Sequence, residues 1–191
     1  FKTAIKNIDL ILTPSNYIRK RLEKEISGKC MTLRNFVPAP PENISPVGYS
    51  NYFLFVGMLE IHKGVLNLLR LFRKLRHEIN TKLVIVGEGS LKSYIREFVE
   101  KNSLSGLVFP VGSLDNRERL YSLYKSALAV IIPSICPENA PLVALEAFSV
   151  GTPVIASNIG GLPEIVGKVD KKLSFNNLDE LGDILLNFSR K

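Results

Sequence analysis

The chain has 191 residues, 46% of them hydrophobic, and a formal charge of +7. That suffices for one complete domain, or one domain with part of another, around a sizeable core. It excludes a helical membrane span, because the one candidate run, Leu128 to Ile132, stops at Pro133, and the opening residues carry no secretory signal pattern.

The charge is uneven. Before Pro38, the cations Lys2, Lys6, Arg19, Lys20, Arg21, Lys24, Lys29 and Arg34 face only Asp9, Glu23 and Glu25, so this segment carries +5 and the rest +2. A basic arm of this kind suits an anionic membrane surface as a peripheral contact, or simply a solvated helix face. No aromatic residues interleave with the charges in RKRLEKEISGK, so nucleic acid is not an expected partner.

In chain order, DLILT predicts a strand, SNYIRKRLEKEI a helix and CMTLRNF a second strand. Residues 1–38 are too few for a domain and read as the tail of a preceding α/β domain. Residues 39–50, rich in Pro and Ser without periodicity, read as a linker. From residue 51 to 191 strands and helices alternate. The strands are YFLFVG, KLVIVG, LVFPVG, LAVII and PVIAS; the helices are VLNLLRLFRKLRHEI, LKSYIREFVEKNS, RERLYSLYKSA, PLVALEAFSVG and LDELGDILLNF. Such alternation predicts α/β architecture, a Rossmann-like doubly wound parallel sheet with helices on both faces.

Ligands of such sheets bind beyond the carboxyl ends of the strands. Gly57, Gly87, Gly112 and Gly160 stand at these exits, where they would let backbone approach a ligand. GEGSLK has two glycines of a dinucleotide fingerprint, but Lys92 takes the third position and the motif follows the domain's second strand. Walker A and Gly-x-Ser-x-Gly sequences are absent, and no His/Cys cluster has metal-ligand spacing, so no metal or cofactor is expected. Cys30 and Cys136 form no CxxC pair and read as reduced thiols of a cytoplasmic protein, with Cys136 expected to be small and buried. His62 is assigned no role.

The segment ENAPLVALE offers more. A helix starting at Pro141 would leave the amides of Leu142, Val143 and Ala144 pointing outward as an anion site. Glu146, on an otherwise apolar helix, could accept both hydroxyls of a ribose. Glu138, before the helix, could reach a second polyol. Lys63 in EIHKG precedes another helix and is placed for phosphate oxygens.

These pieces, taken together and in this order, resemble the C-terminal nucleotide-sugar-binding domain of the retaining GT-B glycosyltransferases of the large family 4. FVGMLEIHKG, LVIVGEGS, LVFPVGSLDNRE, the E-x7-E element PENAPLVALE and GTPVIASNIGGLPEIV carry the likeness. DLILTPSNYIRKRL and LRNFVP resemble the end of the N-terminal domain and the interdomain connection. The resemblance implies a UDP- or GDP-linked sugar donor, retention of anomeric configuration, no metal, a role in polysaccharide or glycolipid biosynthesis, and an acceptor bound by the other domain. This chain alone would then bind donor but transfer little. It also implies roles: Glu138 at the donor sugar, Glu146 at the ribose, the backbone of Asn139, Ala140, Pro141, Leu142 and Val143 at the sugar and diphosphate, Lys63 at the leaving diphosphate, and the base near Gly87 and the GSLD turn. One departure is Met58, where the family commonly has an arginine for the diphosphate. That departure keeps a non-catalytic nucleotide-sugar-binding module open as an alternative. A nucleotide-sugar epimerase of related fold is the other.

Overall fold

Side chains of the strand Tyr52–Val56 alternate between two separate cores, which is what a sheet covered on both faces demands. The computed structural model describes residues 8–26, 29–45 and 48–189. The described chain begins with β1 (Ile11–Thr13), α1 (Asn16–Glu23) and β2 (Cys30–Thr32); β1 and β2 pair in parallel as a two-stranded sheet. Ser15 caps α1, its hydroxyl accepting the amide of Ile18. After an irregular stretch come β3 (Tyr52–Val56), α2 (Val65–Leu75), β4 (Lys82–Val86), α3 (Lys92–Lys101), β5 (Val108–Gly112) and α4 (Arg117–Ser126). Then follow β6 (Ala129–Ile132), α5 (Leu142–Ser149), β7 (Val154–Ser157), α6 (Leu162–Ile165), β8 (Ser174–Phe175) and α7 (Leu178–Ser189). β3 to β8 form one parallel sheet in the order β5-β4-β3-β6-β7-β8. This is the Rossmann-like doubly wound architecture expected from the alternation.

Phe53 and Phe55 pack with Leu68, Phe72 and Ile95 beneath α2 and α3, joined by Leu181 and Leu185 of α7. Tyr52 and Leu54 pack with Tyr121 and Tyr124 of α4, Ala144 and Ala147 of α5 and Leu162 of α6 on the other face. The small residues Ala144 and Ala147 let α5 lie close to β6 and β7. β5 is an edge strand and holds Pro110, next to a register shift opposite Ile85 and Val86. That is where a residue without an N–H is tolerated.

Several elements differ from their sequence expectations at the ends. VLNLLRLFRKLRHEI stays helical only to Leu75. The amides of Glu78 and Ile79 both turn back to the Leu75 carbonyl, and the turn buries Ile79. The expected strand CMTLRNF stops at Thr32 because Asn35 is drawn away to the carbonyl of Ala140, at 2.9 Å, leaving Phe36 largely exposed. α6 and β8, of four and two residues, lie below the length at which periodicity is readable. Among the described residues no helix is long and apolar enough to cross a membrane.

Phe72 is fully buried, its ring edge-on to Phe53 at 6.4 Å. Phe72→Ala is expected to cost about 3–5 kcal/mol in denaturant unfolding, a large share of the roughly 5–15 kcal/mol that holds a domain together.

Candidate functional site

β3 and β6 are neighbours, yet the chain leaves β3 for β4 on one side and β6 for β7 on the other. Such a divergence leaves a crevice beyond the carboxyl ends of the two strands. A cavity of about 110 Å³ lies there, walled by Gly57 and Met58 after β3, by Lys63, by Ser134 and Glu138 after β6, and by the start of α5 at Pro141 and Val143.

Two close backbone approaches build it. Lys63 ends a short turn closed by Gly64, whose φ of 73° is left-handed, and a Cβ on Gly64 would stand 1.8 Å from the Pro133 carbonyl oxygen. Glycine thus lets the β3 exit abut the β6 exit, and the Ile135 amide seals the contact by donating to the His62 carbonyl at 3.0 Å. On the far wall the Gly161 amide donates to the Glu138 carbonyl at 2.7 Å. A Cβ on Gly161 would lie 1.8 Å from the Asn139 carbonyl oxygen. The GGLPEIV element therefore clamps the acidic loop. Gly160, expected to open its backbone to a ligand, meets the Glu138 backbone instead, at 2.4 Å from an added Cβ.

Within this frame Lys63 Nζ stands 2.6 Å from Glu138 Oε1, and the Ser134 hydroxyl donates to the same oxygen at 2.7 Å. The lysine and glutamate side chains keep 21% and 16% of their exposure, so both remain reachable from solvent. Ser134 is itself buried, and its carbonyl accepts the Ser157 hydroxyl at 2.8 Å. Lysine and glutamate, 75 residues apart in sequence, are thus brought into direct contact.

The start of α5 departs from expectation in one respect. Pro141 is the N-cap, with extended backbone, and the helix begins at Leu142. The Ala144 amide is consumed by the Pro141 carbonyl at 3.2 Å. Leu142 and Val143 remain as the amides without a carbonyl one turn back. Glu146 sits one turn beyond Val143, outside the lining of the cavity, where its Oε2 accepts the Tyr124 hydroxyl at 2.7 Å. Asn139 and Ala140 form the loop itself, the Ala140 carbonyl holding Asn35 of the N-terminal arm.

Gly57, Gly87 and Gly112 line up across three adjacent strand exits. The Gly57 amide donates to Val86 at 3.1 Å and the Gly87 amide to Gly112 at 2.9 Å. Two carboxylates tie the loops beyond them. Glu60 accepts the amide and hydroxyl of Ser90, which hold its carboxyl below the usual range. Glu88 is lowered first by Lys92 and then by the Ser113 amide. A lowered carboxyl contributes above its ordinary range and loses that contribution as pH falls through the folded value.

Cys136 is exposed rather than buried, since its loop is pinned by backbone contacts and leaves that side chain outside; Cys30 is half-buried, and both thiols are free. Among the described residues no group of three or more His, Cys, Asp or Glu side chains could hold a metal. A larger cavity, about 520 Å³, is lined by Asn43, Ser45, Gly48 and Tyr49 of the connecting stretch and by residues around α4, and includes none of Lys63, Glu138 and Glu146. Lys63 and Glu138 meet instead in the smaller crevice at the strand divergence.

The sequence profile described as "Glycosyl transferases group 1" matches residues 42–181. The chain belongs to that family. An uncharacterized glycosyltransferase of Methanocaldococcus jannaschii is 31% identical over 185 residues, covering 94% of this chain and 50% of that protein. The O-antigen chain mannosyltransferase B of Escherichia coli is 26% identical over 200 residues, covering 96% and 52%. A crystal structure of an S. aureus TarM mutant with UDP and other ligands superposes at a TM-score of 0.80 with 19% identity, covering all of this chain and 38% of TarM. The likeness to TarM establishes the fold. The chain spans about half the length, or less, of these relatives.

Gly161→Ala is expected to displace the Glu138–Ala140 loop while sparing the sheet. Amide NMR shifts should move in residues 134–142 and stay in place in β4. The Glu60 tie should survive acidification through the ordinary glutamate range and release only below it, seen as loss of the low-field Ser90 amide shift at a pH under the usual glutamate midpoint.

Proposed function

We propose that this chain is the donor-binding part of a retaining glycosyltransferase, taking a sugar linked to UDP or GDP. The observation that carries the reading is the 2.6 Å contact of Lys63 with Glu138 in the crevice between β3 and β6, beside the start of α5. In the absence of donor the two charges neutralise each other. A donor diphosphate would draw Lys63 away, since it offers more negative charge at the same place, and the amides of Leu142 and Val143 would share the load with the helix dipole. Glu138 would then be released toward the sugar hydroxyls, with the Ser134 hydroxyl keeping its carboxylate in position.

Bond cleavage places growing negative charge on the diphosphate oxygen that leaves the anomeric carbon. Preorganised donors at that oxygen lower the barrier. Lys63 and the two amides fill that role, and Glu138 orients the sugar without acting as nucleophile. The acceptor hydroxyl attacks from the face the diphosphate leaves, its proton passing to the departing diphosphate oxygen as the old bond breaks, which gives retention. No metal enters this scheme.

A nucleotide sugar needs a site of roughly 300–1,000 Å³, so the 110 Å³ crevice would hold its reacting end and the remainder would extend over the strand exits. Exposed Leu12 and Met31, paired on one face of the β1–β2 sheet, support the reading of residues 1–38 as the tail of an acceptor-binding domain. A two-stranded sheet is marginal by itself and needs a covering layer. The basic charge of that arm would suit a lipid-linked acceptor at a membrane surface of the cytoplasm.

Met58 supports a second reading, a binding module without turnover. It is 55% exposed in the crevice wall and offers no charge to a diphosphate. Loss of one charge-assisted contact is worth about 1.5–3 kcal/mol.

Calorimetric titration with a panel of UDP- and GDP-sugars is expected to show binding that a chelator leaves unchanged. In the full-length protein, Lys63→Ala and Glu138→Ala should each lower turnover by about 100-fold or more, the loss of a donor aimed at developing charge. Near-normal rates in both variants would remove the assignment. Binding without turnover in the full-length protein would favour the module.

A further inference from the structure

Glu146 has a buried partner that the scheme above does not use. Tyr124 is fully buried, yet its hydroxyl reaches across from α4 to donate to Glu146 Oε2 on α5 at 2.7 Å. The ring is wedged edge-on against Tyr121 at 5.8 Å, and the Tyr124 carbonyl accepts the Thr152 hydroxyl at 2.7 Å. The phenol is thus held at both its ring and its backbone. Burial, with the adjoining Glu146 charge, pushes its pKa up, so it stays a protonated donor across the physiological range.

We propose that Tyr124 is a positioning residue for the nucleotide: it fixes the Glu146 carboxylate so that the remaining acceptor positions meet the two hydroxyls of a ribose. The proposal rests on the reading of Glu146 as the ribose acceptor. A glutamate has three side-chain torsions, and freezing them on binding costs on the order of tenfold in affinity. The Tyr124 hydroxyl removes that cost beforehand by holding one oxygen. It occupies one lone pair of Oε2 and leaves Oε1 and the other lone pair of Oε2 for a vicinal diol. A glutamate amid Val143, Ala144, Leu145, Ala147 and Phe148 would otherwise turn toward water. A tyrosine with only a packing role would need just one hydrogen-bond partner of any kind. What distinguishes Tyr124 is that its partner is a carboxylate on the helix whose first turn walls the crevice.

The test is calorimetry on this chain with UDP, GDP and their 2′,3′-dideoxy counterparts. The wild type should prefer the ribose form of whichever nucleotide binds. Tyr124→Phe should weaken that form by about tenfold and leave the dideoxy form unchanged, so that the preference collapses. Glu146→Gln should do the same, and the double variant should add little to either single one. A packing defect would weaken both forms together. An unaltered preference in Tyr124→Phe, with Glu146→Gln losing it, overturns the role of Tyr124. No preference in the wild type and a silent Glu146→Gln, or no binding of either nucleotide, overturns the ribose reading beneath it. If Tyr124→Phe does not fold, 4-fluorophenylalanine at this position keeps the size of the phenol and removes its proton donor. The ribose preference should collapse in the same way, and an unaltered preference counts against the proposal.

Discussion

Everything at the site depends on the gap above β3 and β6. Their neighbouring strands carry the chain away in opposite directions, so no loop is obliged to cross the space between. Into it the fold sends one cation from the first connection and one anion from the fourth. Neither could arrive without glycine. Gly64 removes a clash with Pro133 on one wall, and Gly161 removes one with Asn139 on the other. The crevice is narrow because two backbones meet there at distances that forbid a Cβ, and within it Lys63 and Ser134 both bond one oxygen of Glu138.

The fold was legible because the strands are buried on both faces. Residues such as YFLFV and KLVIV can be nothing but central parallel strands when helical patterns separate them. Lys63 and Glu138 were legible as the residues following strand exits, and the structure brings them together. Other features were not. Ser134 and Tyr124 earn their importance from a hydrogen bond to an acid, four residues on in an irregular loop for Ser134 and 22 residues on along another helix for Tyr124, and no periodicity announces either. The dipeptide Pro133-Ser134 directly after β6 was the available signal for the former. Pro141 misled by one position: a proline serves as N-cap or first helical residue with the same φ, and only the ψ of 128° decides.

The N-terminal arm is tied to the larger sheet by a contact that likewise spans most of the chain. Glu164 accepts the amides of Asn16 and Tyr17 at 2.9 and 2.6 Å, so an acid of α6 satisfies the exposed end of α1. Ser15 rests against Gly161, whose own amide holds Glu138. Arm, clamp and acidic loop are therefore one continuous set of contacts, and the same glycine serves both the site and the docking of the segment before it.

Pro110 has a consequence beyond its own strand. The Leu83 amide bonds the Leu107 carbonyl, and by alternation the nitrogen of Pro110 lies on the outer rim of β5. A further strand arriving there would find a missing rung in the middle of a short ladder. The open side of the sheet is thereby a poor template, and two copies of the chain meeting rim to rim have little to hold.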